Sequence, residues 1–464
     1  MEQAAHQTDI SKTPYRIGII CEYNPFHNGH AHQISVLRKK YPGCCIICLM
    51  SGSFTQRGTP ALLSKYTRAK AAAACGADVV LELPPAYALS SAASFARGGV
   101  RILSALGADA LCFGVETSAC PNDDTANSDA FADSTAVTEA LTVIAERLDS
   151  PAFTQALEQE QKTAENAPLG YPALVQKVYT ALYRDDTVSH LLTPNNILAI
   201  EYLRAIRECT ACGMPPMTPI AIPRIGAAHD APIPDGDQRS EEFASASAVR
   251  AVLTGDDPAS AWKYLPAEWK PLLQADEQNG YIVKAYEPLL GTLLLDFYRN
   301  TAPKIFSKIQ DVEPHVSEPQ LAVIRRLCRA ARECVTLHNL YAHAAAKHLT
   351  DAAVRRTALR GFFGITEEME HTPPYYLNLL ARADTEAASI FLRSAAKRSL
   401  PSESGSPAAF PHCPPILCRP AMTKKLSAAA QCHVERYTHM DEVWGMLTET
   451  PIPASEWMRM NVFR

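Results

Sequence analysis

The chain predicts an α/β fold, a parallel sheet covered on both faces, followed by a mainly helical C-terminal part. Two observations carry this. Through the first half, short and continuously apolar runs bounded by turn residues alternate with segments of helical composition, which is what strands buried on both faces of a sheet require. From about Ser260 the strand-like runs stop and helical periodicity takes over.

The elements follow in order. "RIGIIC" (Arg16 to Cys21) is the first strand, and "EYNPFHNGH" (Glu22 to His30) turns it into a helix through "HAHQISVLRKK". "CCIICLM" (Cys44 to Met50) is the second strand; its loop "MSGSFTQRG" (Met50 to Gly58) leads to the helical "KYTRAKAAAACG". "DVVLEL" (Asp78 to Leu83) is the third, with "SAASFARGGVRILSALG" as its helix, and "DALCFG" (Asp109 to Gly114) is the fourth. The acidic "ACPNDDTANSDAFADST" (Ala119 to Thr135) interrupts the pattern and reads as a surface insertion. "TPNNILAIEYLRAIRE" starts a helix at Thr193, and "MTPIAI" (Met217 to Ile222) is a fifth strand. The division expected is an N-terminal extension (1–15), a sheet domain (16–255), a helical domain (256–400) and a Pro-rich crossing segment with the C-terminal region (401–464).

Composition narrows the function classes. With 464 residues, 47% hydrophobic and 20% charged, the chain is an ordinary globular protein of two or three domains. A formal charge of −5 argues against nucleic acid coating the whole surface and leaves room for a local basic patch. The first residues lack an apolar core, and no run is long enough to span a bilayer, so a cytoplasmic enzyme without a membrane partner is expected. The 14 cysteines are then reduced thiols. Cys45 and Cys48 form a CxxC, but within a strand they point to opposite faces, which disfavours metal or redox use. Cys209, Cys212, His412, Cys413, Cys418, Cys432 and His433 are the better zinc set, though their spacing fits no ligand pattern, and no metal site is assigned.

Ligands of parallel sheets bind beyond the carboxyl ends of the strands, where "EYNPFHNGH" and "MSGSFTQRG" lie. At a helix N-terminus, unpaired backbone N–H groups and the positive dipole end attract phosphate. Gly29 removes a side chain that would hold a ribose or phosphate off the backbone, and His27 and His30 add donors. Such a site can stabilise charge on a leaving pyrophosphate without supplying a nucleophile, which is adenylyl or nucleotidyl transfer. The bland reading is a pair of surface or core histidines. With 14 His and 21 Gly, chance gives about 0.02 occurrences of His-x-Gly-His in this chain. Ser245, Ser247 and Arg250 of "FASASAVR" open a further helix with hydroxyls and a guanidinium for the outer phosphates. Alone, that Ser-x-Ser is also a common cap.

These blocks, together with "GADVVLELPPAYALSSAASFARGGV", "LGADALCFGVE", "PNNILAIEYL" and "PRIGAAHD", resemble in sequence and order the bacterial tRNA(Met) cytidine acetate ligase family, densely from Arg16 to Leu253. The resemblance implies a Rossmann-like nucleotidyltransferase fold of the HIGH superfamily. It implies an enzyme that joins acetate to ATP, releases pyrophosphate, and passes the acetyl group to N4 of the wobble cytidine of elongator tRNA(Met). By the same resemblance the ATP site takes Ile20, Glu22, Tyr23, Asn24, Pro25, Phe26, Asn28, Gly29 and Gln33 around His27 and His30, with Gly114, Asn195, Asn196 and Arg224, and Mg2+ is left open. Asn195 as a mere cap and Arg224 as a surface charge are the competing readings. Gln56, Arg57 and Lys65 fall on the acetate or target-base side. Tyr23, Phe26 and Phe54 are equally readable as stacking platforms for a flipped base or as core aromatics.

Between Arg325 and Arg360 the chain carries a local formal charge of +6, suited to a tRNA backbone. Arg325, Arg326, Lys347, Arg355 and Arg356 are its expected contacts, although Lys347 opens "KHLT" where the family pattern suggests "KRYT". A solvated helical face is the competing reading of that patch. Two other classes stay in view: a small-molecule adenylyltransferase of cofactor biosynthesis, which needs no large basic helical part, and a tRNA-binding protein with a regulatory nucleotide site, which needs neither histidine. Oligomeric state is left open.

Overall fold

The computed structural model describes residues 13–116, 130–163, 171–185, 192–225, 243–307, 316–347, 349–399, 413–418 and 420–453. The N-terminal extension up to residue 12, most of the acidic stretch, residues 226–230 of "PRIGAAHD", the Pro-rich stretch 401–412 and His412 lie outside them.

The five expected strands form: β1 (Arg16–Cys21), β2 (Cys45–Ser51), β3 (Val79–Leu83), β4 (Ala110–Val115) and β5 (Thr218–Pro223). All pair in parallel, and β2 and β3 are buried at every residue, as continuous apolar runs demand. A sixth strand, β6 (Leu377–Arg382), was read as helical territory; it pairs antiparallel with β3 and carries the short β7 (Ile416–Leu417) on its outer edge. The sheet order is β5-β4-β1-β2-β3-β6-β7. The chain leaves β1 toward β2 and β3, then returns to the other side of β1 as β4. The carboxyl ends of β1 and β4 therefore part at a topological switch point, where a crevice opens.

The crossover helices are α1 (Asn28–Lys40), α2 (Lys65–Ala74), the single turn α3 (Pro85–Ala88) and α4 (Ala92–Ala105). Ser64 caps α2 by accepting from Thr67 N–H, and Ser91 caps α4 by accepting from Ser94 N–H. Gly99 of α4 leaves space for Ile20: a Cβ there would stand 2.5 Å from the Ile20 Cδ1, so α4 rides close over β1. Helices α5 (Ala130–Leu148), α6 (Pro151–Thr163), α7 (Tyr171–Tyr183) and α8 (Pro194–Ala211) follow, and α5 takes up the last residues of the expected surface insertion. After β5 comes α9 (Ala246–Leu253), capped by Ser245.

The C-terminal helices are α10 (Lys270–Gln278), α11 (Glu287–Asp296), α12 (Ala302–Ser307), α13 (Glu318–Glu333), α14 (Leu337–Ala344), α15 (Asp351–Phe363), α16 (Glu368–His371), α17 (Glu386–Arg398) and α18 (Ala428–Met446). One core runs without interruption from Ile46 and Phe54 under the sheet to Leu294, Leu327 and Trp444. The helical part is thus packed on the face that carries α1 and α2, and through β6 it also completes the sheet. Cys48 belongs to this core and Cys45 to the core on the opposite face, as strand alternation requires.

Candidate active site

The turn after β1 is built to present two imidazoles. His27 is the N-cap of α1: its Nδ1 accepts from Gly29 N–H at 3.0 Å, while its own N–H donates to His30 Nδ1 at 3.3 Å. This reciprocal cap uses the Nδ1 of both rings as acceptors, so each ring proton sits on Nε2. The rings stack with centroids 3.8 Å apart. Gly29 is required for a different reason than its sequence position suggests. A Cβ at Gly29 would meet the His27 Cε1 at 2.9 Å, so the space is taken by the His27 ring rather than by a ligand. Burial, then the charges of Arg224 and Arg250, pull the His27 pKa down to about 3. Burial, His27 and Arg224 push His30 the same way. Both rings are neutral Nε2–H donors at physiological pH.

The rest of the turn is fixed from outside. Asn24 Oδ1 accepts from Leu62 N–H at 2.8 Å, and Asn24 C=O accepts from Arg250 Nη1 at 2.5 Å. Glu22 accepts from Gln56 N–H at 2.6 Å. Arg68, 1% exposed, donates to the carbonyls of Glu22, Ser51, Gly52 and Leu63, binding the loops after β1 and β2 into one piece. Tyr23 adopts a positive φ of 48° and turns its ring into the core against Phe26 and His30.

A cleft of about 400 Å³ opens at the switch point, lined by His27, Gly29 and His30 on one wall and by Ser245, Ser247 and Arg250 on the facing one. Two helix N-termini, α1 and α9, therefore converge on one space, and Ser245 Oγ caps α9 by accepting from Ala248 N–H at 3.2 Å. The far end is closed by Gly114, Asn195 and Arg224. A Cβ on Gly114 would lie 3.3 Å from the Arg224 Cγ, so the glycine lets that arginine lie across the end of β4. Arg224 Nη1 donates to Asn195 Oδ1 at 3.2 Å, and the Asn195 amide donates in turn to the Glu116 carboxylate. Among the described residues no group of three or more His, Cys, Asp or Glu could hold a metal ion.

The comparisons decide the family. The model of the HIGH nucleotidyl transferases matches residues 15–401. Proteins named tRNA(Met) cytidine acetate ligase match from Syntrophotalea carbinolica (39% identity over 51% of this chain and 50% of that protein), Bacillus velezensis (32%, 68% and 70%) and Anoxybacillus flavithermus (30%, 80% and 84%). The chain belongs to the HIGH nucleotidyl transferases, among the tRNA(Met) cytidine acetate ligases. A crystal structure of Thermotoga maritima TmcAL bound with alpha-thio ATP has the same fold, with a TM-score of 0.74 at 23% identity over 97% of this chain and 99% of that one.

For this HIGH nucleotidyl transferase the cleft brings together most of the expected residues: Ile20, Glu22, Tyr23, Asn24, Gln33, Gln56 and Arg57 line it with those named above. Five stand elsewhere. Pro25 and Phe26 are not in its lining, and Phe26 is fully buried in the core, as Phe54 nearly is. Asn28 donates to Lys263 C=O at 2.9 Å, away from the cleft. Asn196, fully buried, spends its amide on the backbone of Glu116, accepting from N–H at 2.8 Å and donating to C=O at 3.0 Å. Neither asparagine caps α8, whose N-cap is Thr193. Lys65, read onto the acetate or base side, is 1% exposed and bonded to Glu82 at 2.9 Å and to Asp441 at 2.7 Å.

The basic segment also divides. Arg360 is 4% exposed and paired with Glu370 at 2.6 Å. Arg355 Nε donates to Arg57 C=O at 3.0 Å and Arg356 Nη1 to Gln56 C=O at 2.9 Å, so both grip the active-site loop instead of standing open to a phosphate backbone. Arg325, Arg329, Arg332 and Lys347 are exposed, and Arg326 is half-buried. Sequence reasoning missed Glu116, Arg68 and Asp441. Glu116 and Arg68 left a local trace, as the residue that ends the strand run "CFGVE" and as the arginine of "KYTRAKAA"; Asp441 left none.

Proposed function

We propose that this chain is an ATP-dependent ligase that activates acetate as acetyl-adenylate and transfers the acetyl group to N4 of the wobble cytidine of elongator tRNA(Met). The observation that carries the reading is the pair of neutral Nε2–H imidazoles facing the Ser245–Arg250 helix start across one cleft, in a chain whose relatives are named tRNA(Met) cytidine acetate ligase.

A triphosphate laid between the N-termini of α1 and α9 places its outer phosphates on Ser245, Ser247 and Arg250 and its α-phosphate near the imidazoles. An acetate oxygen attacks the α-phosphorus, the bond to the β-phosphate breaks, and pyrophosphate leaves with the electron pair. Acetate is already ionised at neutral pH, so no base is needed. His27 and His30 serve as preorganised donors to the charge that grows on the phosphates. Their neutrality avoids the cost of burying two cations. In the second step the cytidine N4 attacks the acetyl carbon, the bond to AMP breaks, and the amine loses one proton. Gln56 and Arg57 on the β2 loop face the acetate and base side; Mg2+, where used, arrives with ATP. The exposed Arg325, Arg329 and Arg332 recur at helical spacing along one face of α13 and, with Lys347, hold the tRNA backbone. No helix of the described residues is long and apolar enough to cross a membrane.

The test is ATP–pyrophosphate exchange. Exchange that depends on free acetate, followed by acetylcytidine in tRNA(Met) on adding the tRNA, is the expected result. Exchange driven by a phosphorylated cofactor precursor and indifferent to acetate would replace this reading with the small-molecule adenylyltransferase.

A further inference from the structure

The loop that carries Gln56 and Arg57 into the cleft is held in place by the far end of the chain. Its first residue beyond Gly52, Ser53, donates through Oγ to Asp441 Oδ1 at 2.6 Å. Asp441 Oδ2 accepts from Lys65 Nζ at 2.7 Å, and Lys65 also donates to both oxygens of Glu82 at 2.9 Å. Asn378 of β6 completes the set by donating to Glu82 Oε2 at 2.8 Å. All four carboxylate oxygens have partners. The side chains of Lys65, Glu82 and Asp441 are 2%, 5% and 14% exposed.

This arrangement is costly for mere cohesion. It buries two carboxylates against one ammonium, and apolar side chains of similar volume would hold a core together as well or better. Burial pulls the Lys65 pKa down, but Asp441 and Glu82 together push it up, so the ammonium stays charged. What charged hydrogen bonds supply and apolar packing does not is direction. Here the direction is toward the loop. A Cβ at Gly52 would stand 2.2 Å from Glu82 Oε1, so the loop backbone lies directly on the network.

Farther along the loop the grip comes from α15, through Arg355 and Arg356. Gly58, at φ +72°, lets the loop approach that helix: a Cβ there would lie 2.7 Å from Arg356 N. Past the loop, Trp444 Nε1 of α18 donates to Ala61 C=O at 2.7 Å. Gln56 N–H then reaches Glu22. Asp441 and Trp444 are one helical turn apart on α18, so one C-terminal helix holds both ends of the segment from Ser53 to Ala61.

We infer that Asp441 is a positioning residue of the active site, acting through Ser53 and Lys65 to set the loop that presents Gln56 and Arg57 to the acetate side of the cleft. The inference rests on the function proposed above. The nucleotide side is built on α1, α9 and the end of β4 and does not touch Asp441. The larger loss should therefore fall on acetate, since the loop reaches the nucleotide side only through Gln56–Glu22 and Arg68.

The experiment compares wild type, Asp441→Asn and Ser53→Ala in acetate-dependent ATP–pyrophosphate exchange, with melting temperatures taken on the same preparations. Asp441→Asn keeps the volume and removes the negative charge that faces Lys65. Ser53→Ala removes the loop contact while leaving the ion network whole, and it carries the test if the first variant does not fold. The expected result is a KM for acetate raised about tenfold in a folded variant, as befits a displacement smaller than the ~1 Å that can cost roughly 10²-fold. The KM for ATP should stay within about twofold. An unchanged acetate KM in a folded variant overturns the inference, and so does a parallel rise for acetate and ATP, which would mark a general structural role. Failure of the wild type to exchange with acetate would instead remove the proposed function, so the two failures are distinguishable.

Discussion

The N–H of His27 donates to Nδ1 of His30 at 3.3 Å, while the Nδ1 of His27 accepts from Gly29. Backbone N–H groups at the start of α1 therefore fix the tautomer of both rings before any substrate arrives. His27→Ala keeps the backbone N–H that holds His30 Nδ1, but it costs more than one donor, because it also removes the α1 cap and the ring stacked on His30. Acetate-dependent exchange should fall by roughly 10²–10³ for His30→Ala, the cost of one preorganised donor. For His27→Ala the fall should be at least as large. Gly29→Ala should approach the His27 variant although it removes no polar group, because its Cβ displaces the ring. Exchange rates of folded variants decide this, and wild-type rates in both histidine variants would remove them from the site.

The low pKa of His27 sets a pH signature. Its folded value, about 3, lies below the ordinary histidine value of 6.5, so between these the unfolded chain binds more protons than the native one. Stability from this residue is present in full above about pH 6.5 and is lost as pH falls, by up to ~1.4 kcal/mol per pH unit within that window. His30, shifted the same way, adds to the slope. Two outcomes are expected. Urea midpoints should drop between pH 6 and pH 4.5, less so in His27→Asn. The exchange rate should show no histidine inflection between pH 6 and pH 8.5. A step near pH 6.5 in the rate would mean that an imidazolium takes part.

Asn196 does its work through the backbone of Glu116. Asn196→Ala takes from the half-buried N–H and C=O of Glu116 their side-chain partner, at a cost below the roughly 1–3 kcal/mol each that fully buried groups would incur. It also releases Glu116, and with it the Asn195–Arg224 chain that places a guanidinium in the cleft. The KM for ATP should rise while that for acetate changes little, the reverse of the pattern expected of Asp441→Asn. Thermal melts with and without ATP supply the second measurement: the variant should melt lower and gain less from ATP.

The five parallel strands were legible because each is a short, largely apolar run set in a regular alternation with helical segments, and the His-x-Gly-His turn was legible because its chemistry is local. β6 was not. Asn378 interrupts its apolar run, and the side chain is there to reach Glu82, a contact that only the folded sheet defines. Lys65 was misplaced for a related reason. Its position in "KYTRAKAA" marks it as chemically important, but its partner Asp441 lies 376 residues away, and nothing near either residue announces the pair. The reason for Gly29 also depended on a ring orientation that spacing does not encode.

The arginines separate the two half-reactions only if the right ones are chosen. Replacing Arg355 and Arg356 by Glu would put carboxylates against the carbonyls of Arg57 and Gln56 and disturb the cleft directly. Arg325, Arg329 and Arg332 are exposed on one face of α13 and make no such contact. Their replacement by Glu inverts the local field, and surface charges more than about 10 Å away are screened at moderate salt, so the adenylation step should not register the change. The triple variant should keep acetate-dependent exchange within about twofold and lose tRNA acetylation. The dependence of residual tRNA binding on log salt should flatten by roughly 2–3 units, one counterion contribution for each cation removed. Arg355→Ala with Arg356→Ala should do the opposite, weakening exchange before any tRNA is added. If the triple variant acetylates tRNA normally, α13 is a solvated face and the tRNA lies elsewhere. If it loses exchange as well, the helical part is coupled to adenylation through more than the loop grip of Arg355 and Arg356.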